Sequence, residues 1–401
     1  MALHPEDNSP VPSGKSGPWL KWAYGMWLFL ALAVSVKMLI TPELHTVFPK
    51  FAARAINWWS GLPLYVEYEG LGRFPYSPTF AISLTPFAFL GNCFGAISWS
   101  WMNIAVYIWG LQRLIRDVLP GEWPPDRRAA FLMLAMIGAI RGVWNAQSNI
   151  LIIGLIMGGG SALIRKRWWM AAFLLAGPVY LKVWPIVVPL LISALWPRMF
   201  AWRFLVAMGV GAVIPFLTQP FDTVLQQYHN WFALLVEISP VVVCSYRDVW
   251  TVSNLLDAPI NIYAYSVIQL LTALMALGWC LWLQQSTQSL RWLLTSALAI
   301  GAAWMMIFVP AVEYNTYVVL APMVTWGLLT AFEERQWRGL ISVAYAMTMI
   351  LGAGAVERVL INFSPAALAM LPVGSLLFVI WLILFLRNRR NVCFERSELC
   401  N

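Results

Sequence analysis

Charged residues are scarce in this sequence. Asp, Glu, Lys and Arg make up 11% of its 401 residues, whereas 60% are hydrophobic. A soluble domain is about 45–50% apolar and about 25% charged, so this chain has too few polar groups to cover a surface in water. The composition excludes a soluble globular protein and predicts an integral membrane protein.

Paired cysteines and the common catalytic motifs are also missing. The five cysteines (Cys93, Cys244, Cys280, Cys393 and Cys400) show no CxxC or other paired spacing. The cysteines therefore give no support for a disulfide framework or for a metal site. The sequence also contains no P-loop, GxSxG, HExxH or convincing dinucleotide-binding fingerprint.

The net charge of +8 does not indicate nucleic-acid binding. The basic residues lie in short clusters such as RRAA, RKRWW, ERQWR and RNRR, at the ends of apolar runs. Positive charge at such places sets the orientation of membrane helices. We interpret these clusters as signals of orientation and as contacts with anionic lipid.

The apolar runs predict an all-α integral membrane bundle. A transmembrane helix needs about 20 apolar residues, and this window predicts 11 to 13 transmembrane segments. They lie near 23–41, 77–92, 95–112, 129–143, 148–164, 168–183, 185–197, 201–217, 262–283, 292–310, 316–332, 339–356 and 367–386. A single domain is expected over 21–388, between a disordered cytosolic tail at 1–20 and a cytosolic tail at 389–401.

Two polar segments, 42–76 and 218–260, are expected to be external loops. The first carries two helical stripes: Val47, Phe51, Ala55 and Trp58 on one, and Lys50, Arg54 and Asn57 on the other. This spacing predicts an amphipathic helix at the membrane interface. The second segment is expected to be a long loop with at least one helical stretch.

The stretch YLKVWPIVVPLL places one lysine, Lys182, inside an apolar run. A charge at membrane depth costs about 2.5–3.5 kcal/mol, so this residue needs a partner. One interpretation is a lysine that extends from a helix end to the headgroups. The other is an anchor for an anionic group, most simply a lipid phosphate, because an ammonium stays protonated beside an anion.

A second cation, Arg141, stands at a span end in AIRGVWNAQSNILIIG. The polar residues Asn145, Gln147, Ser148 and Asn149 follow it. Ser148 or Asn149 could cap the next helix. The amides could also bind sugar hydroxyls, because each offers both a donor and an acceptor, and the two interpretations are compatible.

Glu43 and Glu313 flank apolar runs and are the external acidic residues most expected to face a protected cavity. His45 lies two residues after Glu43. A carboxylate with a nearby histidine could act as a general base for an alcohol nucleophile. The alternative is that each is a solvated loop charge.

Several stretches, taken in order, resemble glycosyltransferase family 87. They are WWSGLPLY, RFPYSPTFAISLTPFAFL, the run from NAQSN to VPLLI, and IPFLTQP. They contain the family-like motifs GxxLY (Gly61 to Tyr65), YxP (Tyr76 to Pro78), (G/A)QxN (Ala146 to Asn149) and Kx(Y/W)P (Lys182 to Pro185). The similarity runs across about residues 40–220 and continues more weakly to residue 330.

The resemblance implies a GT-C fold, a polytopic bundle whose first external loop forms helices over a cavity open to lipid. It implies inverting transfer of a mannose-like hexose or a pentose from a polyprenyl-phosphate donor to a hydroxyl of a glycolipid or cell-envelope glycan. No metal or other cofactor is expected. The expected partners are donor, acceptor and membrane lipid, and the expected location is the inner or plasma membrane.

The resemblance also assigns roles to individual residues. The donor phosphate would be held by Lys182 and Arg141, and the sugar would be bound by Gln147, Asn149, Asn145 and Tyr76. Family members carry an aspartate in the first external loop and often a histidine in a late loop, but here these places read PELHTVFPKF and VEYNTY. The general base is therefore expected to be Glu43, with His45 or Glu313.

Two other functions remain open. A transporter or flippase of lipid-linked sugars could use the same cations without breaking a bond. Such proteins often contain inverted repeats, and the sequence shows none. A catalytically silent relative that acts in cell-envelope assembly would fit the missing aspartate and histidine.

Overall fold

The computed structural model describes residues 17–238, 246–286, 289–310, 312–351 and 355–398. The protein is all-helical: 81% of it is helix, and no strand occurs in the described ranges. The all-α prediction is confirmed. The first helix begins at Pro18, and the last continues to Glu398.

Eighteen α-helices make up the described part of the chain. They are α1 (Pro18–Ile40), α2 (Phe48–Trp59), α3 (Pro78–Ser83), α4 (Thr85–Ala88), α5 (Gly91–Arg113), α6 (Pro125–Trp144), α7 (Asn149–Ile164), α8 (Trp168–Leu181), α9 (Val187–Leu195), α10 (Trp202–Val213), α11 (Phe221–Ile238), α12 (Val249–Leu255), α13 (Ile262–Ser286), α14 (Leu290–Phe308), α15 (Ala321–Glu334), α16 (Arg338–Tyr345), α17 (Ala355–Phe363) and α18 (Met370–Glu398). Short 3-10 or π-helical turns extend several of them, including Leu114–Val118, Trp184–Ile186 and Tyr314–Val319.

Five of the described helical segments are long and apolar enough to cross a membrane. They are Pro18–Ile40, Pro197–Leu217, Ile262–Ser286, Leu290–Phe308 and Pro365–Asn388. A sixth is possible if the helices Arg338–Leu351 and Val356–Phe363, which meet at 97°, form one broken span. This is a membrane protein, but the predicted count of 11 to 13 segments is not confirmed.

The span predicted at 77–92 is wrong. This region folds into two short helices, α3 with 6 residues and α4 with 4 residues. Proline is found in the first turn of each, where its missing N–H costs no hydrogen bond. At 1.5 Å per residue, neither helix can cross a bilayer core of about 30 Å.

The apolar run around Lys182 is broken into two short helices. The helix α8 has 14 residues and ends at Leu181, and Lys182 adopts an extended conformation. A 3-10 turn at Trp184–Ile186 then leads into α9, which has 9 residues. The lysine therefore lies at a helix break, not in the middle of a continuous span.

Helix α2 is the amphipathic helix predicted in the first loop, with one correction. Phe51, Ala55 and Trp58 are buried, as their stripe predicts. Arg54, expected on the polar stripe, is only 1% exposed. Its guanidinium donates to the carbonyl oxygens of Leu64 (2.6 Å), Val66 (3.0 Å) and Gly72 (2.7 Å). These hydrogen bonds satisfy the buried charge and fix the loop that follows α2.

The segment 218–260 packs on the first loop. It contains α11 and α12, so the predicted helical stretch is present. Gln227 in α11 accepts a hydrogen bond from the backbone N–H of Leu64 (3.0 Å), and Trp231 donates to the carbonyl of Pro75 (3.2 Å). These contacts hold the two polar segments together beside the cavity described below.

The glycines of α7 allow close helix packing. A Cβ on Gly158 would lie 2.2 Å from the ring of Trp109, and one on Gly159 would lie 2.7 Å from Leu175. A Cβ on Gly154 would lie 2.8 Å from the carbonyl oxygen of Val106. The backbones of α5 and α7 therefore approach each other as closely as small residues permit.

Candidate functional site

A cavity of about 650 Å³ lies where α2 and the loop after it meet the break between α8 and α9 and the turn after α14. Its polar lining comes from Lys50, Arg54, Arg73, Tyr76, Gln147, Lys182, Tyr246, Glu313 and Thr316. Its apolar lining includes Val183, Trp184, Ile186, Val187, Leu235, Trp304, Met305 and Val309. A space with a few polar groups and a large apolar wall suits a ligand that has both a charged head and a hydrocarbon part.

Lys182 is half-buried in this cavity. Its Nζ lies 5.9 Å from the ring centroid of Tyr76. No ion pair of this ammonium is found within the described residues. The helix break therefore presents a cation that can bind an anionic group inside the cavity.

Glu313 supplies the opposite charge on the same cavity. It is the N-cap residue of the 3-10 turn at Tyr314–Val319, and its side chain is exposed to the cavity. The negative charge of Glu313 interacts with Lys182 and with Tyr76. The break after α8 and the turn after α14 thus place an ammonium and a carboxylate on the same cavity.

Tyr76 follows the loop that Arg54 fixes and also lines the cavity. Burial raises the pKa of Tyr76 above its ordinary value, and the charge of Glu313 adds to this effect. The phenol therefore stays protonated at neutral pH and can donate a hydrogen bond.

Gln147 reaches the cavity because of the way in which α6 ends. The N–H of Ala146 bonds to the carbonyl of Val143 (3.0 Å), and that of Gln147 bonds to Gly142 (2.9 Å). This pair of bonds is a Schellman motif. Ala146 takes a left-handed conformation, with φ of 52°. Gln147 is 6% exposed, and its Oε1 has no hydrogen-bond partner among the described residues.

Asn149 and Asn145 lie beside the cavity but are not part of its lining. Asn149 is fully buried, and its Nδ2 donates to Thr316 Oγ1 at 3.4 Å. Thr316 lines the cavity, so this hydrogen bond links Asn149 to the cavity wall. Asn145 uses its backbone oxygen to accept from Val47 (3.0 Å), which ties the end of α6 to the start of α2.

The capping expectation at the start of α7 needs a correction. Ser148 occupies the N-cap position, but its side chain makes no capping hydrogen bond. The Oγ of Ser148 and the Oδ1 of Asn149 are buried without a hydrogen-bond partner in the described structure. The helix starts in αR geometry straight from the preceding turn, so neither side chain is directed back to the first N–H groups.

Arg141 does not line the cavity. Its guanidinium stacks on Tyr314, 4.6 Å from the ring centroid, and Nη2 donates to the hydroxyl of Tyr314 at 3.1 Å. Tyr314 is the residue after Glu313. Arg141 therefore supports the turn that carries the cavity carboxylate.

Glu43 and His45 lie outside the cavity lining and are exposed. Glu43 borders a shallow surface depression together with Thr41, Pro42 and Leu44. His45 has a left-handed backbone conformation, with φ of 49°, and its carbonyl accepts from the buried Lys37 at 3.3 Å. Neither side chain is brought to Lys182.

Several cavity residues were not singled out from the sequence. Thr316 could have been noticed because it belongs to the same VEYNTY stretch as Glu313. Lys50 belongs to the polar stripe of α2, which the sequence did identify. Arg73 begins the stretch RFPYSPTFAISLTPFAFL, but no motif position falls on it, and Tyr246 lies in an irregular segment without a motif.

The described residues contain no group of three or more His, Cys, Asp or Glu side chains that could hold a metal ion. The expectation of a reaction without metal stays a prediction, because this observation does not test it.

One comparison with known families finds a match. The model of glycosyltransferase family 87 matches residues 74–256. The match supports membership of this family. The part of the chain that matches family 87 includes Tyr76, Gln147 and Lys182, and it ends before Glu313. No curated protein matches the chain. The family indicates a membrane glycosyltransferase.

Proposed function

We propose that this protein belongs to glycosyltransferase family 87 and transfers a sugar from a polyprenyl-phosphate donor to a hydroxyl of a glycolipid or cell-envelope glycan at the inner or plasma membrane. The observation that carries the proposal is that Lys182 and Glu313 line one cavity. The sugar is a mannose-like hexose or a pentose. No nucleotide sugar, metal or other cofactor takes part.

The donor would lie with its phosphate at Lys182 and its prenyl chain along the apolar wall. Trp184, Ile186 and Val187 follow Lys182 directly and line the cavity, and Trp304 and Val309 line it from α14 and its end. The phosphate gains negative charge as the glycosidic bond breaks. A fixed ammonium beside it stabilises that charge, which is the kind of electrostatic help that lowers barriers most.

Glu313 would act as the general base. Of the three candidate bases, it is the one that lines the cavity. It takes the proton of the acceptor hydroxyl while the hydroxyl oxygen attacks the anomeric carbon and forms the new C–O bond. The old bond between that carbon and the phosphate oxygen breaks, and the phosphate leaves with the electron pair. Attack from the side opposite the phosphate inverts the anomeric centre.

Sugar hydroxyls would be bound by Gln147, Tyr76 and Thr316. All three line the cavity and offer donors or acceptors. Asn149 supports Thr316 by its hydrogen bond, and Asn145 supports the position of α2. Arg141 acts on the same site by holding Tyr314.

The other two functions are less well supported. A carboxylate beside Lys182 argues against a catalytically silent relative. Helix α11, which belongs to the long segment 218–260, contributes Leu235 to the cavity lining. A long segment beside the cavity is expected for an enzyme whose external loop covers its substrates, and this favours the enzyme over a transporter.

The test measures transfer of label from a radiolabelled polyprenyl-phosphate sugar to membrane lipids by the purified protein. Glu313→Gln should reduce transfer at least about 100-fold, the scale of general-base catalysis. Glu43→Gln is the matched control, and its transfer should equal that of the wild type. Loss of transfer in Glu43→Gln but not in Glu313→Gln would place the base in the first loop. Label that is never transferred from any donor sugar would contradict the proposal.

A further inference from the structure

A buried ion pair lies beside the turn that carries Glu313. Arg247 is 5% exposed and Glu357, in α17, is 2% exposed. The Nε of Arg247 donates to the Oε1 of Glu357. These residues belong to segments far apart in the chain, and neither lines the cavity.

The backbone of Arg247 bonds directly to the cavity edge. Its N–H donates to the carbonyl of Val312 at 2.7 Å, and its own carbonyl accepts from the hydroxyl of Tyr317 at 2.9 Å. Val312 precedes Glu313, and Tyr317 lies in the turn that follows it. Arg247 therefore holds the Glu313 turn from both sides.

The neighbours of Arg247 are fixed as well. Its Nη1 donates to the carbonyl of Tyr246 at 3.0 Å, and Tyr246 lines the cavity. Asp248, the next residue, is the N-cap of α12 and accepts from the N–H of Thr251 at 2.9 Å. Hydrogen bonds thus hold residues 246–248 in place between α12, α17 and the cavity.

A buried ion pair is a weak source of stability, because desolvation of the two charges offsets most of their attraction. An apolar pair of the same volume would pack the segment at least as well. The charged pair instead fixes the relative orientation of the two segments, because the planar guanidinium must meet the carboxylate in a fixed geometry.

We propose that Arg247 and Glu357 are positioning residues, whose buried ion pair sets the place of the Glu313 carboxylate relative to Lys182. The inference rests on the proposed function for the role of Glu313. The positional part of the claim concerns the protein alone, and it can be tested without any substrate.

The first test is activity-independent. In a protein whose five cysteines are replaced by alanine, Glu313→Cys is labelled with an anionic methanethiosulfonate, and the second-order rate constant is measured. Adding Arg247→Met/Glu357→Leu removes both charges and should change that rate constant at least fivefold. The control is Arg127→Met/Glu333→Leu, which removes an ion pair (2.7 Å) at the other end of α6 from Gln147. It should leave the rate constant unchanged.

The second test uses the transfer assay in the natural sequence. The Arg247→Met/Glu357→Leu protein should lose at least tenfold in kcat, while KM for the donor stays within twofold, because Lys182 and the apolar wall are untouched. Arg247→Lys keeps the positive charge but lacks the planar guanidinium. Its kcat should lie between those of the wild type and the double variant. Because a loss of folded protein would also lower the apparent kcat without changing KM, kcat is calculated per folded molecule, and the folded fraction is measured by size-exclusion chromatography in detergent.

The outcomes separate the two hypotheses. Absence of transfer in the wild type contradicts the proposed function, whereas the cysteine labelling still reports on position. Wild-type labelling and wild-type kcat in the double variant would overturn the positioning role. If the double variant does not fold, Arg247→Lys decides the question, and wild-type labelling and kcat in that protein would also overturn the proposal.

Discussion

The ammonium of Lys182 lies 5.9 Å from the ring centroid of Tyr76, so the charge at the helix break lies near the end of the loop that follows α2. These two residues belong to separate motifs in the sequence, YxP and Kx(Y/W)P. The fold brings both motifs to one cavity wall, with Glu313 acting electrostatically on each.

Replacement of this lysine is the most direct test of phosphate binding. Lys182→Ala should lower transfer at least about 100-fold, because the leaving phosphate loses the cation that stabilises its developing charge. The measurement is single-turnover transfer, together with thermal unfolding in detergent to show that the variant is folded. Lys166→Ala is the control, since Lys166 is exposed at the opposite end of α8. Retained transfer in Lys182→Ala would exclude a role in phosphate binding.

The turn at Ala146 provides a second prediction. Alanine adopts the left-handed conformation there at a cost of about 1–2 kcal/mol relative to its usual backbone, and glycine avoids that cost. Ala146→Gly should therefore keep transfer at the wild-type level and keep or raise the unfolding temperature. Ala146→Val should lower both, because a β-branched side chain tolerates this conformation poorly.

The readout for this pair is the unfolding temperature by intrinsic fluorescence, followed by KM and kcat. If Ala146→Val behaves like the wild type, the Schellman turn does not control the position of Gln147.

Much of the fold was predictable because apolar runs report helices directly. The helices α1, α7, α13 and α14 lie within a few residues of the runs that predicted them. The length of a run does not reveal where a helix breaks, however. The helices end at Leu84, which keeps αR geometry, and at Lys182, which is extended. Proline follows each residue within a few positions, and the sequence alone did not show whether the chain would bend, break or continue.

The site was predictable to the extent that a motif fixes the backbone as well as the residue type. Tyr76, Gln147, Lys182 and Glu313 all line the cavity. Asn149 and Arg141 do not line it. Their positions were not predictable, because a motif does not show in which direction a side chain leaves a helix end. The left-handed conformation of Ala146 turns the chain so that Gln147 lines the cavity, whereas Asn149 is buried at the start of α7.

Arg54 supports the loop that follows α2, and its loss should lower the stability of the protein. Arg54→Met removes three hydrogen bonds from a buried cation to carbonyl oxygens. Bonds to charged groups contribute about 1.5–3 kcal/mol each, and relaxation makes them less than additive. We expect a loss of at least about 3 kcal/mol in the free energy of unfolding.

The matched control is Arg73→Met. Arg73 forms an exposed ion pair with Glu237 at 2.9 Å, and such pairs contribute about 0–1 kcal/mol. Unfolding in detergent followed by tryptophan fluorescence compares the two. Equal stabilities would mean that the loop from Leu64 to Gly72 does not depend on Arg54.

Close packing of α5 on α7 gives the last prediction. A Cβ on Gly154 would lie 2.8 Å from the carbonyl oxygen of Val106 and 3.0 Å from the N of Tyr107. Both atoms belong to the backbone, so no change of side-chain rotamer can relieve the contact. Gly154→Ala should therefore destabilise the protein by about 1–3 kcal/mol, the usual cost of overpacking, although alanine is the better helix former by about 1 kcal/mol. In Gly278→Ala the Cβ has nothing within 4 Å, and helix propensity alone acts, so its unfolding temperature should stay equal or rise. A higher unfolding temperature in both variants would show that α5 can move away from α7 without loss, and that the glycines of α7 are not needed for packing.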